Sequence, residues 1–118
     1  GLELCEEIQH SEDLAFTISL QGSETKDVLK EGVRPMELTH LKVTANDETL
    51  SVEEFVVVLA RGKSPIRSEV IKGNTYNVST FRNQARRGDR IIIEIKSVIG
   101  PQRVSVQVRD VLLQIPIR

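Results

Sequence analysis

The chain has 118 residues, a formal net charge of -1 and an aromatic content of 3% with no Trp. The near-neutral charge provides no attraction for nucleic acid or an anionic membrane, and the scarcity of aromatic rings argues against surfaces that stack bases or sugars. The single cysteine, Cys5, excludes an intrachain disulfide and a Cys-rich zinc site.

The first predicted element is a strand near the N-terminus. Val and Ile outnumber Leu by more than two to one, a balance that favours pleated sheet over helix. Alternation over 14–20 places four apolar residues on one face of a strand: Leu14, Phe16, Ile18 and Leu20. The polar stretch 21–27 predicts an exposed loop. Over 28–41 the pattern is weak, and Pro35 argues against a regular helix there.

Two more strands are predicted in the middle of the chain. Residues 50–60 are nearly continuously apolar from Phe55 onward, which is typical of a strand covered on both faces. A turn over 61–65 separates this strand from a short one over 66–71, and 72–74 turns the chain again. Turn signals about every ten residues are typical of a β-sandwich or barrel.

One segment, 80–87, is predicted to be a short helix. Phe81 and Ala85 are four residues apart and so lie on one side of it, and Gly88 stands where a helix usually ends. At about two turns, the helix is long enough only to connect strands. We expect three of its side chains to face water: Arg82, Arg86 and Arg87.

The C-terminal third contains the clearest strand pattern. Ile91, Ile93 and Ile95 alternate along one strand, which Gly100 and Pro101 end. The next strand has valines at even positions, whereas the last strand has its apolar residues at odd positions. We expect a β-bulge near 109–110 to bring both sets to one face.

Together these patterns predict one all-β domain over residues 1–118. We expect a β-sandwich of about seven strands with one short helix. The residues expected in its core are Phe16, Phe55, Val57, Ile91, Ile93, Ile95, Val106 and Val108.

No catalytic, metal or cofactor site is predicted. His10 and His40 lack the spacing of metal ligands, and Cys5 lies in an acidic segment that disfavours the reactive thiolate. The sequence contains no Gly-rich phosphate loop and no nucleophile elbow. It also lacks an apolar run near the roughly 18 residues that a membrane span needs. We therefore expect a protein without enzymatic activity, cofactor or membrane insertion.

Four arginines form the predicted partner surface: Arg82, Arg86, Arg87 and Arg90. Arginine is favoured at protein interfaces because its guanidinium group can donate two parallel hydrogen bonds to a carboxylate. A solvated helix face is the alternative interpretation of this group. Arg87-Gly88-Asp89 also matches a cell-adhesion tripeptide, but we interpret it as a helix end followed by a turn.

Five short segments follow one another from about Leu50 to the C-terminus: the strand at 55–59, Gly73-Asn74, the run 88–95, Gly100-Pro101 and the closing Ile115-Pro116-Ile117. In order and spacing, this part of the chain resembles the C-terminal periplasmic domain of the gliding-motility and type IX secretion family GldM, also called PorM. The family commonly continues Gly-Pro with Asp-Gly, whereas Gln102-Arg103 stand here, so we expect that hairpin to be built differently. Residues 1–40 have no counterpart that we identify.

The resemblance implies an immunoglobulin-like sandwich in the periplasm of a Bacteroidetes-type cell envelope. It implies a structural, protein-binding role without enzymatic activity, between an inner-membrane motor and an outer-membrane ring. The implied partners are other envelope proteins of a secretion or motility complex, and a homodimer stays open. The alternative is a free-standing periplasmic or secreted sandwich that binds peptide or glycan, against which the few aromatic residues argue.

Overall fold

The computed structural model describes residues 15–22, 27–109 and 111–118, which form a sandwich of two antiparallel sheets. Within these residues there are eight strands, so the expected all-β sandwich of about seven strands is confirmed. None of the described helices is long and apolar enough to cross a membrane. Predictions for Cys5, His10, Leu14, the loop residues 23–26 and Asp110 lie outside the described residues.

The smaller sheet has three strands in the order β1-β2-β5. They are β1 (Phe16–Leu20), β2 (His40–Ala45) and β5 (Thr75–Asn77). β1 and β2 pair from Phe16 opposite Ala45 to Leu20 opposite Leu41. Buried and more exposed residues alternate along both strands, because only one face of this sheet packs on the core.

The larger sheet has five strands, with β3 (Ser51–Arg61) between β4 (Ser64–Lys72) and β6 (Arg90–Ile99). The last two strands, β7 (Ser105–Gln107) and β8 (Leu112–Pro116), lie one after the other along the far side of β6. The interruption between them falls where the sequence predicts a bulge, although Asp110 itself is not described.

A tight hairpin joins β3 to β4. Arg61 pairs with Ser64, which leaves Gly62 and Lys63 as the two turn residues. Gly62 has a φ of 61°. Glycine adopts this left-handed conformation easily, and two-residue hairpins favour it at the first turn position.

The two sheets enclose one cluster of buried apolar residues. Ile93, for example, has no solvent exposure and lies between Val57 on β3 and Leu113 on β8. Most of the predicted core is confirmed: Phe16, Phe55, Val57, Ile91, Ile93, Ile95 and Val108 are buried. Val106 is only half-buried, because it lies on the short β7 near the end of the sheet.

The helical prediction is wrong in position and type. Residues 80–87 do not form an α-helix: a 3₁₀ helix covers Val78–Phe81, and turns follow it. The described α-helix is instead α1 (Val28–Glu31), in the stretch where the sequence pattern is weak. A further 3₁₀ segment covers Pro35–Glu37, and Pro101–Arg103 form a turn in which Gln102 and Arg103 have positive φ.

Two strand predictions need correction. β2 is not among the predicted strands, although Leu41, Val43 and Ala45 alternate along it and are all buried. β3 is not covered on both faces as its apolar run predicts, because Val56 and Val58 are half-exposed on the side away from the core. The larger sheet therefore has an outer face that is partly apolar.

The loop after α1 covers the C-terminal end of β8. Val33 forms a parallel bridge with Ile117, and its N–H donates to the Pro116 carbonyl oxygen at 2.8 Å. Gly32 has a φ of 77°, and a Cβ at this position would lie 2.8 Å from the same oxygen. Glycine is required here because any side chain would push the loop away from the strand.

Candidate interaction surface

The segment between β5 and β6, residues 78–89, carries three of the four arginines of the predicted partner surface, and we call it the arginine segment. Its first turn, Val78–Phe81, begins at Asn77, whose side-chain oxygen accepts a hydrogen bond from the Ser79 N–H at 3.1 Å. Phe81 is fully buried, and the Arg67 guanidinium lies 4.9 Å from the centre of its ring. The ring anchors the segment to the core, and the residues from 82 to 84 that follow it are exposed.

Asp89 holds the other end of this segment. Its side chain is 2% exposed and accepts two hydrogen bonds from Arg61, through Nε and Nη2, each at 2.9 Å. The backbone N–H of Arg86 donates a third, also at 2.9 Å. The carboxylate therefore joins the end of β3 to the start of β6 and fixes the turn between Arg86 and Asp89.

The ion pair shifts the titration of both partners. The hydrogen bonds from Arg61 lower the pKa of the Asp89 carboxyl group, burial acts in the opposite direction, and the Arg86 N–H lowers it further. The same hydrogen bonding to Asp89 raises the pKa of Arg61. Asp89 and Arg61 are therefore both charged at neutral pH, so the ion pair between β3 and the start of β6 is formed there.

The tripeptide Arg87-Gly88-Asp89 is a structural turn. The Gly88 N–H donates to the Ile117 carbonyl oxygen at 2.9 Å, and the Ile117 N–H donates back to the Asp89 carbonyl oxygen at 2.8 Å. The Asp89 side chain is buried and paired with Arg61. A carboxylate held in this way cannot reach a partner protein, so the tripeptide is not an adhesion motif here.

The four predicted surface arginines do not form one helix face. Arg82 Nε donates to the Leu38 carbonyl oxygen at 2.8 Å, which ties the segment to the start of β2. Arg90 lies on the outer face of β6, where Nη2 donates to the Gly62 oxygen at 2.7 Å and Nη1 to Gln114 Oε1 at 3.1 Å. Arg86 and Arg87 are exposed. Two of the four therefore hold the fold together, and two present their charge to solvent.

Arg90 belongs to a second basic group at the tip of the β3–β4 hairpin, which we call the hairpin cluster: Arg61, Lys63 and Arg90. The Arg90 contact with the Gly62 oxygen places its guanidinium beside the hairpin turn. Lys63 is exposed at that turn, and the Arg61 side chain is 41% exposed despite its pairing. Within this cluster, Arg61 pairs with Asp89 and Arg90 with the Gly62 oxygen, and Lys63 lies at the turn between them and β4.

Arg61 was not predicted as a functional residue. It is 28 residues from Asp89 in the sequence, and only the pairing of β3 with β6 brings the two together. The sequence signal that could have suggested a partner was Asp89 itself, a carboxylate directly before a strand of buried isoleucines. A charge entering a core in this way needs a cation nearby.

The structure shows no metal centre in its described part. No group of three or more His, Cys, Asp or Glu side chains is arranged there to hold a metal ion. His40 is exposed on β2, with no described histidine beside it. The contacts described on this surface are hydrogen bonds and an ion pair made by arginine side chains.

Comparison with known families gives a match. The GldM C-terminal domain family matches residues 21–118. The match begins well before Leu50, where the sequence resemblance starts, and includes α1 and β2. The prediction that residues 1–40 have no counterpart is therefore wrong from residue 21 onward. No curated protein and no solved structure matches the chain.

Proposed function

The chain belongs to the GldM C-terminal domain family, and we propose that it is a non-enzymatic docking domain of a gliding-motility and type IX secretion component. The observation that carries this proposal is the family match over residues 21–118, which covers the larger sheet and two of the three strands of the smaller sheet, β2 and β5. In this proposal the domain lies in the periplasm and contacts other envelope proteins of the same complex.

The arginine segment supports a docking role because its backbone is fixed at both ends. Phe81 anchors its first turn in the core, and the Asp89 carboxylate holds its last turn. Arg86 and Arg87 are therefore presented from a rigid support, so little conformational entropy is lost when a partner binds. Carboxylates on that partner are the expected contacts, since guanidinium groups bind them through paired hydrogen bonds.

The test replaces only the two arginines that face solvent. Arg82 and Arg90 are left in place because their removal would break contacts with the Leu38 and Gly62 oxygens. In the full-length protein, Arg86→Ser with Arg87→Ser should reduce cell spreading and type IX secretion in the native bacterium. The fold should be preserved, since exposed substitutions change stability by about 0.5 kcal/mol or less each.

The matched control removes the same amount of charge elsewhere. Lys30 and Lys42 are exposed on α1 and β2, so Lys30→Ser with Lys42→Ser should spread and secrete as the wild type does. Wild-type motility and secretion in the Arg86/Arg87 variant, at wild-type protein level, would exclude this surface. Equal defects in both variants would assign the effect to net charge and not to a docking site.

A further inference from the structure

β4 forms a free edge of the larger sheet. Its nine residues pair with β3 on one side, and no other described strand pairs with its second side. Among the described contacts, no loop or side chain bonds to a backbone group of β4 outside the ladder with β3. The corresponding edge of β8 is different, because Val33 bridges to Ile117 at its end.

One hydrogen bond shows which backbone groups of β4 are unpaired. The Gly73 N–H donates to the Glu53 carbonyl oxygen, and Lys72 lies opposite Glu54 in the same ladder. In antiparallel sheets, opposite residues alternate between pairs that exchange hydrogen bonds and pairs that do not. The groups bonded to β3 are therefore those of Arg67, Glu69 and Ile71. The groups that point away from β3 are those of Ser68, Val70 and Lys72.

The spacing of these groups defines the ligand that fits them. Outward N–H and C=O groups recur every second residue, about 6.6 Å apart. An extended peptide backbone presents the same repeat, whereas a helix has already used its backbone groups internally. The edge is therefore complementary to an extended segment of another protein.

Features at both ends of β4 limit the length of a partner strand that can pair with it. Pro65 lacks an N–H and stands beside the bulge between Leu59 and Ala60, where the ladder is irregular. At the other end Lys72 is ion-paired with Glu54. Proline, bulges and lysine on edge strands prevent continuous edge-to-edge association. The open part, 67–72, suits a short segment of a partner and disfavours unlimited stacking of copies.

The side chains of β4 indicate what such a segment carries. Val70 is 63% exposed on the outer face of the sheet, directly opposite Val56. A residue of an added strand would lie beside Val70, so an apolar side chain there would be covered together with it. Towards the hairpin, the segment would approach Lys63, which is exposed at the turn that leads into β4. An acidic residue is favoured at that end.

We propose that the free edge of β4 binds an extended segment of a partner protein, apolar beside Val70 and acidic beside Lys63, as an added strand. The proposal rests on the docking role proposed above and specifies the chemistry of the partner. It uses a surface distinct from Arg86 and Arg87, so the two sites can fail separately.

The first test selects ligands from a phage-displayed library of random nonapeptides, with the 118-residue chain as bait. Enriched peptides should alternate apolar and polar residues and carry an acidic residue near one end. Val70→Pro removes an N–H that the β3 ladder does not use, so the fold should tolerate it as edge strands tolerate proline. Binding of a selected peptide should weaken about tenfold or more in this variant, and less in Val70→Thr, which keeps the N–H.

The second test needs no substitution and measures amide hydrogen exchange. In the free protein, the amides of Ser68, Val70 and Lys72 should exchange much faster than those of Glu69 and Ile71, which bond to β3. A saturating selected peptide should slow the three fast amides. The same peptide N-methylated at alternate residues should not slow them, because it lacks the donors that pair with β4.

Three results would overturn the proposal. They are the absence of enriched peptides, equal affinity of these peptides for the Val70→Pro variant, and slow exchange at Ser68, Val70 and Lys72 in the free protein. None of them bears on the motility of the Arg86/Arg87 variant. Conversely, wild-type motility of that variant together with peptide binding at β4 would leave the edge as the docking site and remove the arginine surface.

Discussion

Asp89 shows how a single buried charge can organise a surface. Its carboxylate receives hydrogen bonds from Arg61 at the end of β3 and from the backbone of Arg86. Its backbone oxygen receives another from Ile117, after the last strand. Three parts of the chain that are distant in sequence thus meet at one residue, and the exposed arginines of the adjoining segment depend on it for their position.

The first prediction at this scale concerns Asp89→Asn. The amide keeps the shape of the side chain but removes the negative charge that pairs with Arg61, so we expect unfolding at neutral pH to become easier by about 1 to 3 kcal/mol. Urea denaturation of both proteins at pH 7 measures this difference. Glu69→Gln is the control, because it removes a carboxylate from a half-exposed pair with Arg67 and should change stability less.

The lowered pKa of Asp89 also predicts how the stability difference between wild type and Asp89→Asn depends on pH. Because the pKa of Asp89 is lowered in the folded protein, its contribution to stability is complete above the unfolded-state pKa, about 3.9. The contribution is lost as the pH falls through the lower, folded-state pKa. The stability difference between wild type and Asp89→Asn should therefore shrink below pH 4. A difference that stays constant down to pH 2 would contradict this account.

Single residues also show where sequence reasoning succeeds. The burial of Ile91, Ile93 and Ile95 follows from period-two alternation, because one face of a strand meets the core. The contacts of Arg61 and of Arg82 do not follow from any local pattern. Both depend on which strands become neighbours, and a pairing over 28 residues leaves no periodic trace in the sequence.

At the scale of elements, the segment 80–87 shows why a correct pattern can give a wrong structure. Phe81 and Ala85 are both buried, as their spacing predicts, and the Ala85 N–H donates to the Phe81 carbonyl oxygen at 2.9 Å. The Asn77 side chain, however, begins the turn at Val78, and the Asp89 carboxylate accepts from the Arg86 N–H. The Arg86 N–H is a group that a continuing helix would donate to the Arg82 carbonyl oxygen, so its bond to the Asp89 carboxylate ends the helical turns before Arg86.

The prediction at the scale of elements concerns the hairpin between β6 and β7. Arg103 N donates to the Gly100 oxygen at 3.2 Å, with Pro101 and Gln102 as the central residues. Gln102 has a φ of 63°, and Arg103 follows with a φ of 60°. A turn with Pro at its second position and positive φ at its third favours Gly or Asn at that third position.

Gln102→Gly should therefore stabilise the protein. Relief of the left-handed conformation gains about 1 to 2 kcal/mol, and the greater freedom of glycine in the unfolded chain offsets about half of it. We expect a net gain of about 0.5 to 1 kcal/mol, seen as a higher urea midpoint with an unchanged slope. Gln102→Ala keeps the Cβ and should give no gain. If both variants stabilise equally, the side chain of Gln102 and not its backbone conformation is responsible.

At the scale of the whole molecule, the sandwich combines one sheet that the sequence resemblance covers with another that it mostly leaves out. The resemblance from Leu50 onward covers the larger sheet, whereas β1 and β2, which supply most of the smaller sheet, precede it. The buried faces of both sheets nevertheless belong to one cluster. A family match that starts at residue 21 fits this architecture, because the larger sheet alone would leave its inner face uncovered.

The shared core leads to the last prediction, that the two sheets unfold together. Tyr76 lies in β5 of the smaller sheet and is the only tyrosine of a chain without tryptophan, so its fluorescence reports on that sheet. Ile93 lies in the larger sheet with no exposure, and Ile93→Ala should cost about 2 to 5 kcal/mol. Because the sheets share one core, this substitution should lower the urea midpoint of the Tyr76 fluorescence as much as that of the circular dichroism.

Ile92→Ala is the control, on the half-exposed outer face of the same strand. It should cost a smaller amount of stability, about 1 kcal/mol, and so lower both midpoints less. A Tyr76 transition unmoved by Ile93→Ala, beside a shifted circular dichroism transition, would show that the sheets are separate folding units.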